Sequence, residues 1–343
     1  MALPSSGAIS LSQIETEFGG TAPTSLSEYY GAAAGIPGNN NPISFSNFYG
    51  TSSNIDLDTI ATPVVINGQN SLQEITISDY ISSGGQLTIP SGWWIWSDNT
   101  SNAGMTIDIP CTIINNGYII GKGGNGASSG YNGGAGGPAI RINSSVSGVT
   151  ITNNASAFIA GGGGGGGTQN STGQRRGGGG GGAGGGDGGQ GTSSSGGTPG
   201  GNAPTTGAVL NAAAGSNASI GGVAQAGGHG GYSTENSSGS QYARGASGGG
   251  RILPGVAHVS TQAYVQQWGG DGTGGAGGVA GSVGHRSGDT SLGGGGGGWG
   301  AAGGNGNGGR SVNGSGGAAG KAVEDTGNTY TLTNNGTIYG ATT

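Results

Sequence analysis

Apolar residues and threonines alternate along the first half of the chain. The tripeptide apolar-Thr-apolar recurs as Ile75-Thr76-Ile77, Leu87-Thr88-Ile89, Met105-Thr106-Ile107, Cys111-Thr112-Ile113 and Val149-Thr150-Ile151. Period-two alternation rich in β-branched residues predicts strands buried on one face. The Gly, Pro and Asn-Asn pairs between these runs predict turns. A longer unit is laid over the short one: CTIINNGYIIG from Cys111, VTITNNASAFIAG from Val149 and YTLTNNGTIYG from Tyr330. Its second position is always Thr, its first and third are apolar, and an isoleucine (Ile119, Ile159 or Ile338) centres the strand that follows. Copies with matching inward positions are expected side by side in one sheet or solenoid, so that 330–340 returns to pair near 149–161 or 111–121. In SGWWIWS the alternation sets Trp94 and Trp96 on one face and Trp93 on the other. They anchor a small core or, on a second reading, form a carbohydrate-stacking platform.

Residues 1–50 follow another pattern. A Ser-apolar-Ser unit opens each of ISLSQIETEFGG, TSLSEYYGAAAG and ISFSNFYG. Ser12 with Glu15 fits a capping box, and Phe18 before Gly19 fits a helix that stops early. Three helical turns or short helices are therefore predicted, punctuated by Pro23, Pro37 and Pro42. Six aromatic side chains lie in these fifty residues, too many for a free tail.

Glycine changes the picture beyond residue 121. The chain has 343 residues and 90 glycines, of which 14 lie in 1–121, leaving 76 (90 minus 14) for the rest. Collagen is excluded because no G-X-Y period exists. The glycines come instead as solid runs, Gly161–Gly167, Gly177–Gly182 and Gly293–Gly298. Extended threefold glycine helices direct their N–H and C=O groups outward, and these pair with neighbours where no Cβ intervenes. A flexible linker is the competing reading. The intervening segments TQNSTGQRR, YSTENSSGSQYARGAS, RILPGVAHVSTQAYVQQW and SVGHRSGDTSL carry the polar, aromatic and basic side chains, the layout of a rigid frame with loops at its ends.

Charge narrows the partners. All nine Lys and Arg lie at or beyond Lys122, whereas nine of fifteen Asp and Glu precede it. The first part is thus −9 and the remainder, nine basic less six acidic, +3. Neither tracks a phosphate backbone, so nucleic acid is not expected as a partner. The lone Cys111 reads as a small buried hydrophobe. The N-terminus has no secretory signal pattern and no 18-residue apolar stretch exists, so no membrane insertion is expected. His229, His258 and His285 lack ligand spacing, and Asp187, Asp271 and Asp289 sit beside glycine where turns form. The many G-x-G-x-x-G matches are what any glycine run produces. Neither an enzyme, a metal site nor a cofactor is expected.

The stretch SLSQIETEFGG…SLSEYYG…ISFSNFYG resembles a module of tail and fibre-tip proteins of tailed bacteriophages. NNGYIIGKGGNG…GGAGGPAIRI…VTITNNASAFIAGGGGGGG resembles the glycine-rich receptor-recognition adhesins that cap long tail fibres of T-even-like phages. Together these cover roughly residues 8–50 and 111–343. The resemblance implies a virion protein, made in the host cytoplasm, whose N-terminal part attaches to a fibre. It implies a polyglycine-II sandwich whose loops contact a host outer-membrane protein or surface saccharide. A structural or ice-binding glycine-helix protein and a tail-spike depolymerase are the alternatives.

The expected fold is mainly β and irregular: a small N-terminal helical module (1–50), a β-rich middle (51–160), and a C-terminal bundle of polyglycine-II helices (161–343) with its return strand at 330–340. Phe18, Tyr29, Tyr30, Phe45, Phe48 and Tyr49 are the expected attachment residues, since aromatics dominate interface energetics. Receptor contact is expected from Arg175, Arg176, Tyr232, Tyr242, Arg244, Tyr264, His285 and Arg286, because loops on a rigid scaffold carry recognition. Trp268 and Trp299 are expected to pack against glycine faces. A fibre-borne homotrimer and a monomeric cap both fit these residues.

Overall fold

Each short apolar-x-apolar unit forms one strand, and the strands wind into three sheets around a single core. The computed structural model describes residues 3–168, 178–189, 278, 280, 293–306 and 314–343, less the short stretches 21–22, 31, 33–35, 38–40, 52–53, 62, 67–68 and 129–131. In chain order the first elements are α1 (Leu11–Phe18), β1 (Asn54–Asp56), the single turn α2 (Leu57–Ile60), β2 (Val64–Ile66), β3 (Gln69–Gln73), β4 (Ile75–Thr76) and β5 (Gln86–Ile89). There follow β6 (Trp94–Trp96), β7 (Met105–Ile107), β8 (Thr112–Asn115), β9 (Tyr118–Ile120), β10 (Ile140–Ile142), β11 (Val149–Asn153) and β12 (Phe158–Ala160). The last three are β13 (Val323–Asp325), β14 (Tyr330–Asn334) and β15 (Thr337–Tyr339).

The first sheet has the order β1-β5-β8-β11-β14, the second β13-β10-β7-β4, and the third β15-β12-β9-β6-β3-β2. From β3 onward the chain visits the third, second and first sheets in strict rotation, one strand each, as far as β15. That rotation makes a three-faced parallel solenoid; β2, antiparallel to β3, is the exception. Its interior is a set of aligned rows. Leu87, Ile113 and Ile151 share one row, Ile95, Ile119 and Ile159 another, and Ile75, Met105, Ile140 and Val323 a third. All ten are buried in one core. Trp93 faces that core, while Trp94 and Trp96 point to the outer face of the third sheet.

The Asn-Asn pairs do more than turn the chain. Asn115, Asn153 and Asn334 occupy one inward row. Asn115 Nδ2 donates to Asn153 Oδ1 and Asn153 Nδ2 to Asn334 Oδ1, each at 2.8 Å. Asn115 and Asn153 are fully buried. Asn154 Nδ2 donates to Asn116 Oδ1 at 2.8 Å, a second rung of the same kind.

The C-terminal bundle of polyglycine-II helices expected from the sequence is corrected. No helical bundle follows residue 160 among the described residues: the elements there are β13–β15, one closing strand for each sheet. The described glycine runs are extended lines belonging to neither helix nor strand. A glycine run has no packing surface of its own and is held only through its neighbours' backbone groups. Those neighbours include residues 121–137 of the middle region, as Gly162 N–H donating to Gly137 O illustrates.

In the N-terminal module α1 is followed by single 3-10 turns at Leu26–Tyr29 and Phe45–Phe48. Its first cap is Ser10 with Gln13, two residues before the expected Ser12 and Glu15. Ser10 keeps extended backbone (φ −108°, ψ 156°) whereas Ser12 already lies inside the helix. The three repeats are equivalent. Ser10, Ser25 and Ser44 N–H groups donate to the side chains of Gln13, Glu28 and Asn47, all at 2.8 Å. Ile14, Tyr29 and Phe48, four residues after each capping serine, meet in one small core.

Candidate functional site

Residues 97–104 join β6 to β7, residues 121–139 join β9 to β10, and residues 161–322 join β12 to β13. All three connections leave the third sheet and enter the second, so the glycine-rich excursions issue from one corner of the solenoid. The line 161–167 shows how they are held. Gly162 and Gly165 donate to Gly137 and Gly134, Gly163 and Gly166 to Ala183 and Gly180, and Gly164 and Gly167 to Ala301 and Gly304, at 2.7–2.9 Å. The line thus serves three neighbours in turn, one per residue. A Cβ at Gly164 would fall on the Gly317 carbonyl, one at Gly165 on the Asn125 carbonyl and one at Gly166 on the Gly294 carbonyl. Side chains are excluded on every side, which is why the runs are solid glycine.

Where a line ends, asparagine supplies a peptide-like acceptor. Asn125 Oδ1 accepts from Asp187 N–H at 2.9 Å, Asn132 Oδ1 from Ser315 N–H at 2.9 Å and Asn305 Oδ1 from Gly316 N–H at 2.8 Å. Sequence reasoning missed these residues. The signal was present as Asn125 and Asn305 within identical Gly-Gly-Asn-Gly stretches.

The glycine lines are fastened to the solenoid by an aromatic joint. Trp299 is fully buried with Trp94, Ile120, Ala160 and Ala183, and Trp96, Tyr118, Phe158 and Tyr339 pack around them. Tyr118 and Phe158 lie 5.4 Å apart between ring centroids, and Phe158 and Tyr339 6.4 Å with planes 8° apart. A Cβ at Gly184, whose φ is +100°, would lie 3.0 Å from Cζ3 of the Trp299 ring. The outer face of the third sheet is therefore a packing face, and buried Trp94 offers no open sugar platform.

The lines run alternately away from this joint and back. Residues 121–127 and 161–168 lead outward in parallel, since Gly124 N–H bonds Gly163 O and Ala127 N–H bonds Gly166 O. Residues 132–137, 178–183, 293–298 and 314–320 return antiparallel to them, as Gly137 to Lys122, Gly163 to Ala183, Gly297 to Gly164 and Gly317 to Gly165 show. Residues 184–189 and 300–306 lead outward again. Ser128, Asn132, Thr168, Gly178, Gly189, Gly293, Gly306 and Gly314, the described residues of each line farthest from the joint, consequently all lie on the side remote from the strands.

Arg175, Arg176, Tyr232, Tyr242, Arg244, Tyr264, His285 and Arg286, the expected receptor residues, lie outside the described residues, as do Trp268 and the three histidines. Of the expected attachment residues, Tyr29 and Phe48 are buried, and Phe18 packs on them with centroids 6.2 and 6.0 Å away. Tyr30 is half-buried, and Phe45 and Tyr49 are exposed. Cys111 is buried in the solenoid, and burial pushes its thiol up to about 12, with the Asp108 carboxylate adding to the shift. Among the described residues no helix is long and apolar enough to cross a membrane.

The family model for the phage tail fibre adhesin Gp38 matches residues 51–343. The match takes in 51–110, which the resemblance did not cover, and leaves the Ser-apolar-Ser module outside. No curated protein and no solved structure matches the chain. With the solenoid and the glycine excursions both inside the matched span, the chain belongs to the phage tail fibre adhesin family.

Proposed function

We propose that this adhesin touches the host cell with side chains carried between its glycine lines, and that residues 1–50 hold it to another tail or fibre protein. One observation carries the first part: eight line ends collect on the side remote from the solenoid. The lines carry few side chains, chiefly alanine and asparagine, and many of their amides are engaged with neighbouring lines, so specificity falls to the intervals between them. Thr168 and Gly178, which flank in sequence the interval holding Arg175 and Arg176, both lie on that remote side. Tyr232, Tyr242, Arg244, Tyr264, His285 and Arg286 belong to the later intervals. Tyr and Arg are favoured at binding hot spots, and Arg pairs bidentately with carboxylates and phosphates. An outer-membrane protein with acidic loops or an anionic surface saccharide fits this chemistry.

For attachment, Phe45 and Tyr49 are the exposed aromatics of the module. Phe18, Tyr29 and Phe48 act by holding its shape. Leu3 N–H donates to Thr51 O at 2.8 Å and Gly50 N–H to Pro4 O at 3.0 Å, so the module closes on itself before the solenoid begins. Alanine substituted singly at Tyr242, Arg244, Tyr264 and Arg286 is expected to weaken adsorption to host cells while the melting temperature stays at the parent value. Parental adsorption by all four variants, measured as cell-bound protein, would remove recognition from these intervals. Release of oligosaccharide from host lipopolysaccharide or capsule would instead make the protein a depolymerase.

A further inference from the structure

Phe45, Tyr49, Val64 and Val65 are the large apolar side chains exposed among the described residues. The two aromatics belong to the module; the two valines belong to the solenoid. Val64 and Val65 are neighbours in β2, so their side chains leave opposite faces of the strand. Each is 64 % exposed, so β2 is open on both faces at these two positions. The strand pairs with β3 on one side, Val64 with Ser71 and Val65 with Asn70, and is the terminal strand of the third sheet. Among the described residues nothing pairs with its other edge.

Natural sheets protect such edges by keeping them very short, with lysine or proline on the edge, or with inward-pointing charge; β2 is only three residues long and follows Pro63, but it lacks the charge. Residues 64–73 of this chain, VVINGQNSLQ, contain no charged residue at all. An uncharged, β-branched free edge is a template for strand addition, in which main-chain hydrogen bonds supply affinity and alternate side chains supply specificity. Charge selects the occupant. The first 121 residues carry nine acidic side chains and no Lys or Arg. Two copies meeting through this edge would bring −9 against −9, whereas a strand flanked by basic residues meets an opposite field.

We propose that β2 is a strand-addition site for a β-strand, apolar in alternate positions and flanked by Lys or Arg, from another virion protein. The proposal rests on the reading that the adhesin is carried by a tail or fibre protein, and it adds a second point of attachment within the span shared with the family. Purified full-length protein is added to virions that lack it, and the amount taken up is measured at low and high salt. Val65→Lys, which charges the edge, is expected to lower uptake at least about tenfold. Val65→Thr, which keeps β propensity, should stay near the parent. Val64→Lys repeats the test on the opposite face. Melting temperature and binding of the free protein to host cells should be unchanged in all three, and parental uptake should fall as salt rises. Parental uptake by both lysine variants overturns the proposal, as does salt-independent uptake or an equal loss of host-cell binding. A parental dimer, seen in sedimentation equilibrium and abolished by Val65→Lys, would make the occupant a second copy and overturns it too. If deletion of residues 1–50 abolishes uptake while Val65→Lys leaves it intact, attachment by the module stands and the strand-addition site falls. If the parent itself is not taken up, the carried-adhesin reading fails first.

Discussion

Asn153 stands between two like residues and satisfies both. Its Oδ1 accepts from Asn115 Nδ2, and its Nδ2 donates to Asn334 Oδ1 and, at 3.2 Å, to the Thr337 carbonyl. Leaving a buried amide partner unpaired costs about 1–3 kcal/mol. Asn153→Ala is expected to destabilise the protein by that amount, and Asn334→Ala, on the exposed last rung, by well under ~1 kcal/mol; chemical denaturation of the two variants checks the ratio. Equal losses would mean that the ladder contributes nothing beyond each residue's own turn. Read along the chain these asparagines look like turn formers. Their second role appears only when the rungs stack and bring residues 38 and 181 positions apart into contact. Cys111 gives a prediction of its own. The thiol's ordinary value is 9.0 and its folded value about 12. Between those limits the folded state holds a proton that the unfolded state has lost, so this contribution to stability is fully present below about pH 9 and is lost as pH rises toward 12. The native thiol should therefore resist alkylation at pH 8, and Cys111→Ala should flatten the alkaline decline in melting temperature. Rapid alkylation of the native protein would show that the thiol is accessible.

At the scale of elements, the apolar-Thr-apolar alternation made β5, β7, β8 and β11 legible because their outward positions carry threonine. β10 and β13 were not read, because theirs carry Arg141 and Glu324, which pair with each other across the second sheet at 2.5 Å. The charge hides the alternation of Ile140-Arg141-Ile142, and β13 keeps only its first apolar position, Val323, with Asp325 opposite Ile142. The strand rotation among three sheets was not legible either, since no single strand records which sheet it joins. What closes the solenoid is the last turn. β14 covers Val149 and Ile151 of β11, and β15 covers Ile159 of β12, all three now buried. Removing residues 330–343 uncovers them, at about 1.5–3 kcal/mol for each side chain fully exposed. The truncated chain is expected to melt well below the parent, with the loss visible in the strand signal by circular dichroism. An unchanged melting temperature would mean that β14 and β15 are ornaments on a solenoid complete at β12.

At the scale of the whole molecule, two bodies with different cohesive forces meet at Trp299. The solenoid is held by rows of buried isoleucine, the glycine lines chiefly by hydrogen bonds between glycine-rich main chains. Order in the glycine runs was legible from their solidity; the helical bundle was a wrong inference because what holds each line comes from its neighbours and not from the line. The division predicts separable damage. A Cβ at Gly166 has the Gly294 carbonyl in its place, so Gly166→Val forces neighbouring lines apart without touching the isoleucine rows. The variant should keep the parent's strand signal and the main melting transition of the solenoid, because that core lies elsewhere. It should lose amide protection at Gly166, Gly294 and Gly297 in hydrogen exchange, since Gly166 N–H donates to the Gly180 carbonyl and Gly294 and Gly297 N–H donate to the Gly167 and Gly164 carbonyls beside it. Host adsorption should fall with it, because the line ends that the intervals depend on are displaced. The same volume added at Gly148, where a Cβ meets only Pro110 at 3.9 Å, strains the backbone at φ +72° yet leaves the lines alone. Gly148→Val should therefore lower the melting temperature and spare adsorption by the protein that remains folded. Adsorption retained by Gly166→Val with its glycine amides exchanging freely would mean that the host is bound without the glycine scaffold.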